Sequence, residues 1–208
     1  MTIDRRGRAL LIALLITAAG CIPARPSPSP APTSAPTPTP TAPTPSAATT
    51  ESPAAGVAVD ASLLDVLPDE VGGRPLDPDA ESAAAIADER SIAPFVSAIA
   101  LASAFGPVAT DVPPSYVVVT VAQLRPGVFG DVFFRGWRDT FDAAVCQQAG
   151  GVDGHAETDL GGRRTYIGTC SGGVHTYHVY LPARDIIVSS QSAGPASFGE
   201  QVMAEITE

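Results

Sequence analysis

The residues of this chain best suited to chemistry lie between Gly150 and His178. Gly168-Thr169-Cys170-Ser171-Gly172 has the G-x-C-x-G spacing of a cysteine nucleophile elbow, and His155, His175 and His178 are nearby in sequence as bases. An elbow needs a strand, a sharp turn and then a helix whose N-terminus stabilises the nucleophile. Here the motif is followed by Gly173-Val174-His175-Thr176-Tyr177-His178-Val179-Tyr180, which alternates as a strand does. The motif is in the wrong context for a thiol nucleophile, and the serine form G-x-S-x-G does not occur. His175 and His178, three residues apart on a strand, point to opposite faces and do not form a metal pair. Asp153, His155 and Glu157 bring oxygen and nitrogen donors together locally, as a weak metal site or as the acid and base of a hydrolase would. Their glycine-rich setting, Gly150-Gly151-Val152-Asp153-Gly154-His155, suits a solvated connection equally well. Asp77-Pro78-Asp79-Ala80-Glu81 lacks the glycine and the spacing of a calcium loop and reads as helix capping. No cofactor is implied.

The elements that must position these residues start near Val57. Asp60 caps a short helix through Leu67, which Pro68 and Gly72-Gly73 end, and a short extended piece covers Arg74 to Leu76. Asp77-Pro78 opens a helix over Ala80 to Asp88. Ser91 and Pro94 restart a helix through Phe95, Ile99 and Ala102, stopping at Gly106-Pro107. Tyr116 to Ala122 is dense in β-branched residues and apolar on both sides, as a central strand is. Asp131 caps a long helix that ends at Gly150-Gly151. On it Phe133 or Phe134, Trp137, Phe141, Ala144 and Val145 form the apolar face, and Arg135, Arg138, Asp139 and Asp142 the opposite one. An aromatic stripe of this kind reads as core. Ala156–Leu160, Arg163–Cys170, Val174–Leu181 and Ile186–Gln191, separated by Gly161-Gly162, Gly172-Gly173 and Pro182-Ala183-Arg184-Asp185, form an antiparallel meander. Phe198, Val202 and Ile206 mark one face of a terminal helix. The expected fold is α+β: a mainly antiparallel twisted sheet of about four to five strands with helices packed on one face.

The first 21 residues set the location. Arg5, Arg6 and Arg8 precede an apolar run from Ala9 to Ala19 that ends in small residues before Cys21, the charge, hydrophobic and cleavage order of an export signal. A run of about 11 residues spans roughly 16 Å as a helix, too short for a hydrocarbon core of about 30 Å. Ala18-Ala19-Gly20-Cys21 resembles the lipobox of bacterial lipoproteins, with Ala18 where members of that family usually have Leu. The resemblance covers only this leader. It implies cleavage before Cys21, acylation of that thiol, and attachment to a membrane outside the cytoplasm by its acyl chains without spanning it. With Cys21 acylated, Cys146 and Cys170 are an even pair in an oxidising compartment and are expected to form a disulfide, the alternative being two buried thiols.

Residues 21–56 then form a lipidated, disordered Pro/Ser/Thr-rich tether, about 3.1 Å per residue in polyproline II form, and 57–208 a single domain. Its threonines, Thr37, Thr39 and Thr41 among them, are open to O-glycosylation. The formal charge is −10, and cleavage after Gly20 removes three arginines and one aspartate to leave −12. So acidic a chain is repelled by phosphate backbones, which excludes nucleic acid as a partner. All twelve cationic side chains are arginine, a composition that high-GC codon usage accounts for. Two readings follow. The first is an anchored lipoprotein whose domain binds a small molecule, a cell-wall polymer or a protein partner, with no catalytic set evident. The second is an envelope hydrolase centred on Asp153, His155 and Glu157.

Overall fold

The computed structural model describes residues 56–108 and 113–208. The export signal, the Ala18-Ala19-Gly20-Cys21 motif and the proline-rich tether up to residue 55 lie outside the described residues. Fourteen elements follow in order: β1 (Ala58–Val59), a 3-10 helix (Ala61–Val66), β2 (Glu70–Val71), β3 (Arg74–Pro75), β4 (Asp77–Pro78), α1 (Ala80–Ala87), β5 (Val96–Phe105), β6 (Tyr116–Leu124), α2 (Asp131–Gln147), β7 (Val152–Leu160), β8 (Arg163–Cys170), β9 (Val174–Leu181), β10 (Ile186–Ala193) and α3 (Phe198–Glu205). Eight strands make one sheet in the order β1-β5-β6-β10-β9-β8-β7, with β4 also on β5, while β2 and β3 pair separately. The α+β class holds, but the sheet is larger than four to five strands and is mixed, because β1 runs parallel to β5. The meander is as expected: β8 and β9 have the predicted bounds, and β7 and β10 extend past theirs. Among the described residues no helix is long and apolar enough to cross a membrane.

The largest departure is β5, where a helix was expected. Its alanines fall at alternate positions, Ala98, Ala100, Ala102 and Ala104, and all four join the core cluster that includes Leu63 and Val66 of the 3-10 helix. Ile99 and Leu101, between them, pack with Ala83 of α1 on the other side. This is a period of two: small side chains on one face admit a close-lying helix turn, and larger ones fill the opposite face. Alanine's helix propensity is overridden by that two-sided burial.

The helices cover both faces, not one. Val117, Val119 and Val121 of β6 share a cluster with Val71, Phe198, Val202 and Met203, so the 3-10 helix, the β2–β3 pair and α3 lie on that face. Ala122 and Leu124 of the same strand join Phe134 and Ile187, which places α2 on the other. Phe198, Val202, Met203 and Ile206 are all nearly inaccessible, and each contributes roughly 1.5–3 kcal/mol relative to exposure.

Two caps also differ. The α1 cap is Asp79, which accepts from the Ser82 amide, whereas Asp77-Pro78 is strand β4 against Ser103 and Ala102. α2 is capped by Gly130, and Asp131 lies inside its first turn. Asp60 does cap the 3-10 helix, accepting from Ser62. Gly72 and Gly73 serve the β2–β3 turn, and the 3-10 helix ends at Leu67.

Candidate functional site

α2 presses Phe134, Asp142 and Cys146 against the sheet. Cys146, in its last turn, is bonded to Cys170 at the end of β8, with the two Cα atoms 5.1 Å apart. The expected disulfide is therefore present, and it takes Cys170 out of any nucleophilic role.

One turn before Cys146, Asp142 is 1 % exposed, although the sequence pattern placed it on the solvent side. What draws it inward is the polar stripe that β9 and β10 present to α2. The Thr176 hydroxyl donates to Asp142 Oδ1 at 2.5 Å, and His178 Nε2 lies 2.8 Å from the same oxygen. His155 Nε2 approaches Oδ2 at 3.1 Å from β7. On the far side of the imidazole, His178 Nδ1 is 2.9 Å from Ser189 Oγ, which accepts from the Trp137 indole at 3.0 Å. An indole N–H only donates, so the Ser189 hydroxyl is free to donate to Nδ1, leaving the His178 proton on Nε2, directed at the carboxylate. Phe141 stands edge-on to the imidazole with centroids 5.2 Å apart.

Burial works to raise the Asp142 carboxyl, but the hydrogen bonds from His178 and Thr176 and the facing imidazoles outweigh it, and its pKa lies below the ordinary carboxylate value. Burial drives the His178 pKa down, and the Asp142 carboxylate only partly opposes this. The pair is thus a charged aspartate and a neutral histidine. Gly168, the first glycine of the G-x-C-x-G motif, makes room for it: a Cβ there would sit 2.7 Å from Asp142 Oδ2 and crowd the Thr176 hydroxyl.

Ser189, His178 and Asp142 have the residue types and the proton order of a hydrolytic triad. A nucleophile must reach its substrate, however, and Ser189 and His178 are 0 % exposed. The line is a sealed structural network.

Of the predicted cluster on β7, His155 and Glu157 line one surface groove, while Asp153 is not part of that lining. His155 faces Asp142, Asp153 accepts from the Ser171 hydroxyl at 2.6 Å, and Glu157 stands 3.7 Å from Arg164. Among the described residues no three His, Cys, Asp or Glu side chains converge as metal ligands would. His175 lies 3.5 Å from the Thr169 hydroxyl.

Sequence reasoning missed Asp142, Thr176 and Ser189 as partners of His178. The available signal was Ser189-Ser190 interrupting an apolar strand, and Asp142 in register with Phe134, Arg138 and Cys146 at i, i+4 spacing. It also missed a surface groove between α2 and the β7–β8 edge of the sheet. One part, about 220 Å³, is lined by Asp131, Phe134, Arg135, Arg138, Glu157, Arg164 and Tyr166. The adjoining part, about 390 Å³, shares Arg138, Glu157 and Tyr166 and adds Asp139 and His155. The Arg138 guanidinium lies over the Tyr166 ring, 4.3 Å from its centroid, an arrangement that fixes the side chain by cation–π attraction. No protein-family model matches this chain, and no curated protein or solved structure matches it.

Proposed function

We propose that the chain is an exported lipoprotein, anchored to a bacterial membrane through Cys21, whose folded domain binds a small molecule, an envelope polymer or a protein partner, with no catalytic set evident. The binding reading is carried by the groove between α2 and the β7–β8 edge, which gathers charged groups from three elements around a guanidinium held over the Tyr166 ring. The Cys146–Cys170 disulfide supports the oxidising compartment that the leader calls for. The hydrolase alternative keeps His155 and Glu157 on one groove but lacks Asp153, which accepts from the Ser171 hydroxyl instead. Acyl chains on Cys21 would hold the protein at the membrane, and the proline-rich segment would give the domain reach.

Intact-mass spectrometry of the protein from its native membrane fraction tests the anchor. The expected species lacks residues 1–20, carries acyl chains and gains two hydrogens on reduction. A full-length or unacylated chain recovered from the soluble fraction would remove the lipoprotein reading.

A further inference from the structure

We propose that the groove between α2 and the β7–β8 edge takes a small zwitterion of the amino-acid or short-peptide class, its carboxylate on the arginines and its ammonium group on the acidic side chains. The inference deepens the binding function above and rests on it.

The groove sets Arg135, Arg138 and Arg164 against Asp131, Asp139 and Glu157. These groups barely satisfy one another. Arg138 and Asp139 are 3.8 Å apart, and Arg164 and Glu157 are 3.7 Å apart, well beyond the 2.7–2.9 Å of a charge-assisted hydrogen bond. Arg135 makes no ion pair among the described residues. Arg164 and Glu157 in particular leave donor and acceptor capacity facing solvent, although Tyr166 also engages the Arg164 guanidinium. Arg138 is also pre-oriented: its guanidinium lies over the Tyr166 ring and its side chain is only 17 % exposed, so little rotamer freedom remains to be lost when a carboxylate docks.

The balance of signs selects the ligand. A simple anion would gain the arginines but lie against three carboxylates, and a simple cation would meet the reverse. A molecule carrying both charges engages both sets. Being neutral overall, it also escapes the long-range repulsion that a chain of formal charge −10 exerts on anions. The two parts of the groove, about 220 and 390 Å³, are of a size for a small ligand.

The test titrates the full chain with alanyl-alanine, with its N-acetylated form, with its C-terminal amide and with inorganic phosphate, following backbone amide shifts. Shifts confined to 131–139 and 155–166 with the free dipeptide, and affinity at least tenfold weaker for each blocked form, are expected. Glu157→Gln and Arg164→Gln, both on exposed side chains, should each weaken the free dipeptide by a similar factor without changing the fold. Equal binding of the free and N-acetylated forms, or of phosphate, overturns the two-charge inference and leaves a ligand groove in place. Shifts in none of the four titrations overturn it together with the groove, while the anchor stands or falls on the mass measurement.

Discussion

Asp142 keeps a charge inside the protein because Thr176, His178 and His155 all face it, and this has a consequence that depends on pH. In the unfolded chain His178 takes up a proton near pH 6.5, whereas in the folded protein burial holds its pKa lower. Unfolding therefore binds protons, and the stability that depends on His178 is complete above about pH 6.5 and declines as pH falls below it. Asp142 acts in the same sense at lower pH. Its folded pKa is depressed, so its contribution persists above about pH 3.9 and is lost as pH falls through the folded value. Urea midpoints measured from pH 8 downward should begin to drop near pH 6.5, and His178→Gln should flatten that first decline. A midpoint constant between pH 7 and 5 would contradict a neutral buried His178. Gly168→Ala probes the same place sterically. The added methyl meets Asp142 and Thr176, and overpacking of this kind costs about 1–3 kcal/mol. Unchanged stability in that variant would mean that Asp142 does not sit where the network requires.

At the scale of elements, the bond between the last turn of α2 and the end of β8 fixes the helix over the sheet. Replacing Cys146 and Cys170 together by alanine opens a loop closed across a sequence separation of 24 and should cost about 3 kcal/mol, read as a lower denaturant midpoint that no longer responds to reductant. The elements were unequally legible. β6, β8 and β9 announce themselves by β-branched density or glycine turns, and α3 by Phe198, Val202 and Ile206. β5 does not, because an alanine-rich stretch satisfies a helical pattern as well as an alternating one until its two neighbouring layers are known. β1 and β4, two residues each, carry no period at all. Asp142 was hidden for a related reason. On α2 a carboxylate reads as solvent-facing, and only Thr176 and His178, arriving from a distant strand, supply the donors that make burial favourable. Arg138 was placed with it and turned inward too, onto Tyr166.

For the whole molecule, the sheet ends at β7, nine residues long and almost wholly exposed. A long bare edge invites pairing with another chain, and the carboxylates of Asp153, Glu157 and Asp159, with the polar His155 among them, discourage it. Glu157→Val combined with His155→Val should raise self-association, seen as increased light scattering at unchanged secondary structure; a strictly monomeric double variant would show that the charges are not what protects the edge. Trp137 adds something else. It is the chain's only tryptophan, and its indole N–H is the first link in the line through Ser189 and His178 to Asp142. The protein therefore carries its own optical gauge: the wavelength and intensity of a single fluorophore should follow the protonation of the buried line in acid, before and apart from any global unfolding, with no label attached.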